Sequence, residues 1–349
     1  MERHPIPFNT PAAEPQIRLT PKPFRKSRHF GTFLICCALF VAGFALTALW
    51  QNADGSFLKK EEGTTSSVED NGLPPPSEPI VPPTSEEIVI PEGATPIVTY
   101  DLSHTGEGVG YLNNETAYRP NINALFTSDV TSKPTEEPLV LVLHTHTSEG
   151  YLSRPTTYLE GDLGNLTYTQ DAEQNVLAVG KAFIAALNKN GITAIHCTVM
   201  HDASGLSGSY ERAAESIQFF LTHYPSIRYV VDLHRDAILT AEGEYVRAAT
   251  EIDGKSVAQI LPVVGSDAGG WEHEGWEGNL ALALQLRREL NQNDTALCRP
   301  PMLRTHTYNQ ELAPYAILLE IGTGANSIDE AIAAATLAGE AFAKVILSH

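Results

Sequence analysis

The sequence predicts an α/β domain of three layers, with helices on both faces of a mostly parallel central sheet, over residues 136–349 of the 349-residue chain. Three observations carry that expectation. Short apolar runs of strand length recur through this region. Amphipathic stretches of helical length separate them. Three of the runs, at 138–144, 227–234 and 315–323, are apolar with little alternation, as strands covered on both faces are.

Taken in order, PLVLVLH (138–144) is the first buried strand. DAEQNVLAVGKAFIAALNKNG (171–191) has apolar residues at helical spacing, with a cap near Asp171 and a stop at Gly191. ITAIHCTVM (192–200) is a strand, and SYERAAESIQFFLTHYP (209–225) a helix. IRYVVDLH (227–234) is a second buried strand. Residues 244–265 predict a hairpin turning at Asp253-Gly254. WEGNLALALQLRRELNQN (276–293) is a helix, and YAILLEIGT (315–323) a third buried strand. NSIDEAIAAATLAGEAFAKVIL (326–347) closes the domain as a helix capped by Asn326 or Ser327. Strands alternating with helices in this way argue for a layered α/β fold.

The preceding chain is organised differently. Residues 1–29 form a basic tail, with Arg3, Arg18, Lys22, Arg25, Lys26 and Arg28 against Glu2 and Glu14. Residues 30–50, FGTFLICCALFVAGFALTALW, carry no charge and are long enough for a transmembrane helix. The basic flank sets the N-terminus in the cytoplasm and the remainder outside; a cleaved signal peptide is the alternative. Residues 51–96 are a linker rich in Pro, Glu and Ser, with eight prolines between residues 71 and 96, a composition that stays extended. Residues 97–135 are less legible, with VTYDLSH a candidate strand.

Composition narrows the function. With 42 acidic and 23 basic residues the net charge is −19. Such a chain lacks the basic surface that nucleic acid requires. Of four cysteines, Cys36 and Cys37 fall in the apolar span; Cys197 and Cys298 are either one disulfide or two buried thiols. No CxxC pair, G-x-S-x-G elbow, H-E-x-x-H, Walker loop or dinucleotide fingerprint occurs.

The chemistry-bearing residues gather where the buried strands end: VLVLHTHTSE, VVDLHRDA and ILLEIGTGAN. In α/β sheets sites form beyond the carboxyl ends of strands. His144, His146, Glu149 and His234 are the residue types that hold zinc, which takes imidazole nitrogen and carboxylate oxygen. In an extended segment His144 and His146 point to one side, so both could ligate, or one could ligate while the other orients substrate. Glu320 leaves a buried strand as a carboxylate and is the candidate general base. Asp232, Arg235 and Asp236 flank His234 and are placed to orient it. Weaker candidates for substrate contact are Asn279 in WEHEGWEGNL, beside His273, and Tyr308, Asn309 and Gln310 in RTHTYNQEL, beside His306.

The motifs HTHTSEGY, DAEQNVLAVG, VVDLHRDA, WEGNLALA, YNQEL and LLEIGTGANSIDEA, in this order, resemble the stage II sporulation protein P family over roughly residues 136–349. That resemblance implies a membrane-anchored peptidoglycan hydrolase acting in the septal intermembrane space during engulfment in sporulation. It implies an N-acetylmuramoyl-L-alanine amidase, with endopeptidase activity as well, working with stage II sporulation proteins D and M. The family is in turn similar to zinc-dependent wall amidases. By their pattern Zn2+ would sit on a first histidine, a glutamate and His234, with Glu320 catalytic. The early glutamate departs from that pattern: its usual place favours Asp171 or Glu173, whereas HTHTSE offers Glu149. The same residues would also serve a zinc stem-peptide endopeptidase, and a non-catalytic wall-binding scaffold is a third reading.

Overall fold

The computed structural model describes residues 89–103, 110–292 and 295–347. The basic tail, the apolar span 30–50 and the linker up to residue 88 lie outside the described residues. Among the described residues, no helix is long and apolar enough to cross a membrane.

In chain order the strands are β1 (Thr95–Tyr100), β2 (Asn113–Asn114), β3 (Val140–Leu143), β4 (Tyr158–Leu159), β5 (Ala194–His196), β6 (Tyr229–Asp236), β7 (Tyr245–Ile252), β8 (Lys255–Ala258), β9 (Ile260–Gly265), β10 (Met302–Arg304) and β11 (Tyr315–Thr323). The helices are α1 (Ile122–Leu125), α2 (Leu163–Leu166), α3 (Val176–Lys189), α4 (Ser209–His223), α5 (Trp276–Leu290) and α6 (Ile328–Leu347).

Seven strands form the main sheet in the order β2-β10-β9-β11-β6-β3-β5. Every neighbouring pair is parallel except β9 with β11. The sheet is buried on both faces, and the alternation of side chains sorts its residues between two cores. Val140, Val142, Tyr229, Val231 and Leu233 join α3, α5 and α6 on one face. Leu141, Leu143 and Val230 meet Ala213 and Ile217 of α4 on the other. The expected α/β arrangement with a mostly parallel central sheet is what forms, β9 with β11 being the antiparallel pair.

Small residues set the closest helix contact. Ala331, Ala334, Ala335, Ala338 and Ala341 give α6 a buried, nearly flat face. A Cβ on Gly339 would come within 2.5 Å of the Phe183 carbonyl oxygen, so glycine is what lets α3 and α6 meet. Phe183, Phe342 and Tyr229 then interlock edge to face behind that contact.

Two differences from the sequence expectation have local causes. The helix expected from residue 171 begins at Val176, because Asn175 accepts from Leu177 N as the cap while its backbone bridges to Gly150. Asp171 instead accepts from Glu173 N in a tight turn ahead of it. The second is a separate four-stranded sheet, β4-β1-β7-β8, beside the main one. It recruits the expected strand near residue 97 and the expected hairpin, whose Asp253 and Gly254 both have positive φ. The less legible stretch from residue 110 also packs on the core, through Leu125 and Val130. Cys197 and Cys298 are both buried free thiols.

Candidate active site

Register alone brings the predicted residues together. β11, β6 and β3 are adjacent and parallel, so their carboxyl ends open at one edge of the sheet. Glu320 lies directly beside His234. The 144–152 strap leaves β3 at the same edge and bridges Glu149 to Tyr168 and Leu152 to Ser327.

His234 is the centre of this group. It is almost fully buried, with Nδ1 3.2 Å from Glu149 Oε2 and Nε2 3.1 Å from Asp232 Oδ1. The second contact is close without being aligned for a hydrogen bond. Burial opposes a charge on His234, but the two carboxylates outweigh it and hold the imidazole well above its ordinary value. Burial likewise pushes Glu149 and Asp232 up, yet His234 and Arg235 hold Glu149 below the carboxylate range. His234 and Thr145 together bring Asp232 down to about 2.

Asp232 has a second task. Its oxygens accept from Thr145 N at 2.9 Å and Thr145 Oγ1 at 2.6 Å, pinning the turn that carries His146. Asp202 grips the strap two residues beyond His146, through Ser148 N. His146 stands edge-on to His234, ring centroids 5.2 Å apart, with Nδ1 3.3 Å from Ser209 Oγ. Arg235 ties the strap down: its N–H donates to Glu149 Oε2 and its Nε to the Gly150 carbonyl.

His144 goes elsewhere. β3 ends at Leu143, so the strict alternation that would align His144 with His146 ends there too. His144 is fully buried, its Nδ1 2.9 Å from the Leu233 carbonyl and its Nε2 2.9 Å from His196 Nε2. With Nδ1 donating to the carbonyl, Nε2 accepts, and His196 carries the shared proton. Burial, then the other ring, lowers His144 to about 3, and burial lowers His196 to about 4. This is a neutral imidazole pair under the strap.

Glu320 is the most exceptional group. Its Oε2 is buried without a hydrogen-bond partner. Burial first, then the charge of Asp236, pushes its carboxyl up to about 8. Asp236 is itself occupied, accepting from Arg299 at 2.7 Å.

The remaining predicted residues divide. Tyr308 and Asn309 reach the site's edge only through Tyr210: the Tyr308 ring is 6.0 Å from it, and Asn309 Nδ2 donates to its carbonyl. Asn279 and Gln310 do not face the site: Asn279 Oδ1 accepts from Ala316 N, and Gln310 holds β9 through Gly265 N and the Val263 carbonyl. Asp171 and Glu173 are exposed, with Asp171 accepting from Glu173 N. Sequence reading overlooked Tyr210, whose ring packs edge-on to His146 at 5.5 Å. Its only signal was a position in the first turn of α4.

Two ligands at ordinary zinc distances on tetrahedral directions stand about 3.3 Å apart. Glu149 Oε2 and His234 Nδ1 are 3.2 Å apart, and a carboxylate behind the other ring nitrogen is the usual partner of a ligating histidine. These two donors and their support fit. Among the described residues, no group of three His, Cys, Asp or Glu is already gathered closely enough to hold an ion. His146 adjoins this pair, its ring centroid 5.2 Å from that of His234.

The chain has known relatives. The family model for stage II sporulation protein P matches residues 84–345. A stage II sporulation protein P of Bacillus subtilis (strain 168) is 25% identical over 221 residues, 60% of this chain and 51% of that protein. The chain thus spans about half the length of this curated relative. Among solved structures, the N-acetylmuramoyl-L-alanine amidase AmiC2 of Nostoc punctiforme is 17% identical, with a TM-score of 0.32 over 60% of this chain and 94% of that one. The CwlD amidase of Clostridioides difficile, solved with the GerS lipoprotein, is 12% identical, with a TM-score of 0.36 over 59% and 98%. Structural likenesses this faint say nothing of what this chain does.

Proposed function

The chain belongs to the stage II sporulation protein P family, and from that premise we propose that it is a zinc-dependent peptidoglycan hydrolase. The bond cut is the amide between N-acetylmuramic acid and L-alanine, with the stem-peptide cross-link as a further target, during engulfment. The observation that supports this best is one arrangement: His234 between Glu149 and Asp232, with the unpartnered Glu320 oxygen beside it.

Glu149, His234 and His146 would hold the zinc, with the Asp232 carboxylate 3.1 Å behind the other ring nitrogen of His234. When bound, the metal supplies a Lewis acid that polarises a carbonyl and lowers the pKa of a water to about 7. Glu320 Oε2 takes the proton from the attacking water and returns it to the leaving alanine nitrogen. With its carboxyl held up at about 8 in the metal-free chain, the ionised form of Glu320 is a stronger base than an ordinary carboxylate. Arg235 keeps Glu149 in place by its N–H. His144 is kept out of the ligand set by its bonds to Leu233 and His196.

The further expectations stand as proposals with it. The apolar span 30–50 anchors the chain with the N-terminus cytoplasmic, the hydrolase lies in the septal intermembrane space, and stage II sporulation proteins D and M are its partners. At a net charge of −19 the chain gains nothing from an anionic wall, so contacts in the site and the local concentration set by the tether supply binding.

The test is an end-group assay on purified sacculi with the full chain, with zinc and with chelator. New N-terminal L-alanine that disappears with chelator supports the amidase. New N-termini from the cross-link alone would make it an endopeptidase. New reducing sugar ends would overturn the reading, and binding without any new ends would leave a scaffold.

A further inference from the structure

An aromatic series leads away from the site. From His146 the ring centroids step 5.5 Å to Tyr210, 6.0 Å to Tyr308 and 6.2 Å to His306. His146, Tyr210 and Tyr308 are half-buried and His306 is exposed, so the series runs from the candidate metal ligands to solvent.

The backbone that presents it is unusual. Tyr308 and Asn309 have φ of 54° and 61°, consecutive left-handed residues without glycine. Asparagine accepts that conformation, but for a bulky tyrosine it is strained. The strain is held from both sides. Asn309 donates to the Tyr210 carbonyl on α4, and Gln310 is bonded to β9. Tyr308 meanwhile packs over Leu261, Val263 and Leu318. Two anchors therefore fix the Tyr308 ring 6.0 Å from that of Tyr210 and tilted 55° to it.

We propose that Tyr210, Tyr308 and His306 form the saccharide-binding wall of this site, with Tyr308 the main specificity-determining contact. The identity of the occupant rests on the peptidoglycan reading above. Aromatic faces offer apolar area at low entropic cost and suit the C–H faces of pyranose rings. The stem peptide, with its carboxylates, suits this wall less well. Arg304, the cation nearest Tyr308 in sequence, is already paired with Glu115, and the chain as a whole is strongly acidic. The wall would thus hold the glycan strand while the amide hanging from it meets Glu320.

The experiment measures binding rather than cleavage, so its outcome is separate from the hydrolysis reading. The intact chain is titrated by calorimetry with a disaccharide of N-acetylglucosamine and N-acetylmuramic acid bearing no peptide, and separately with free stem peptide. The disaccharide is expected to bind. Tyr308→Asn, which tolerates the left-handed backbone, weakens it about tenfold, His306→Ala two- to threefold, and Tyr308→Phe less than twofold. Where Tyr308→Asn does not fold, Tyr308→Gly removes the ring and the strain together and serves in its place. The proposal is overturned if the disaccharide does not bind at millimolar concentration, if only the peptide binds, or if loss of the Tyr308 ring leaves affinity unchanged. Binding with these effects in a chain that cuts no wall polymer would sink the hydrolase reading and leave this one standing.

Discussion

Two residues concentrate the chemistry, and each has its own expected outcome. Glu320 keeps a buried oxygen unpartnered while burial holds its carboxyl at about 8. A carboxyl raised in the folded state costs stability as pH rises from about 4.5 through 8. Glu320→Gln should therefore melt no lower than the parent at pH 8 without added metal. Its wall cleavage should fall about 10²–10⁴-fold, the usual worth of a general acid–base group. A lower melting temperature with activity retained would make Glu320 structural. Asp232 backs His234 and clamps Thr145 at once. Asp232→Asn should weaken zinc binding about 10–100-fold, read by competition with a chromogenic chelator. Unchanged affinity would remove Asp232 from the site.

At the scale of elements, the imidazole pair explains a glycine in α3. A Cβ on Gly180 would lie 2.6 Å from His196 Nε2 and 2.7 Å from His144 Nε2. Gly180→Ala should cost about 1–3 kcal/mol, the range for overpacking, measured by urea unfolding. Folding should also weaken in acid. Both imidazoles have folded values below the ordinary 6.5, so the unfolded chain binds more protons in that window. Stability is full above about pH 6.5 and falls toward pH 4; a His196→Gln chain should show a shallower fall. These elements also mark what a sequence can tell. The three strand ends were legible because unbroken apolar runs are hard to mistake and their ionisable ends stand out. The separation of His144 from His146 was not, because it depends on β3 stopping at Leu143 and on partners 52 and 89 residues away. Tyr210 was hidden inside an amphipathic helix, where an aromatic residue normally signals core. The helix α3 starts later than expected because DAEQN offers two residues able to cap, Asp171 and Asn175, and Asn175 is the one that does.

For the whole molecule, topology does most of the placing. Adjacent parallel β3, β6 and β11 deliver HTHTSE, DLHRD and LEIGT to one edge, and two cores fix that edge from both faces. Phe342→Ala should cost about 3–5 kcal/mol and lower activity only through the folded fraction. In the proposed function the sheet edge makes one metal site from His146, Glu149 and His234. The most direct measurement is zinc stoichiometry of the purified full chain and of its single variants, with X-ray absorption at the zinc edge. One zinc per chain is expected, bound by nitrogen and oxygen alone, lost in His234→Ala and Glu149→Ala, weakened in His146→Ala and retained in His144→Gln. Zinc retained without Glu149 and His234, or lost only when His144 is changed, would contradict it.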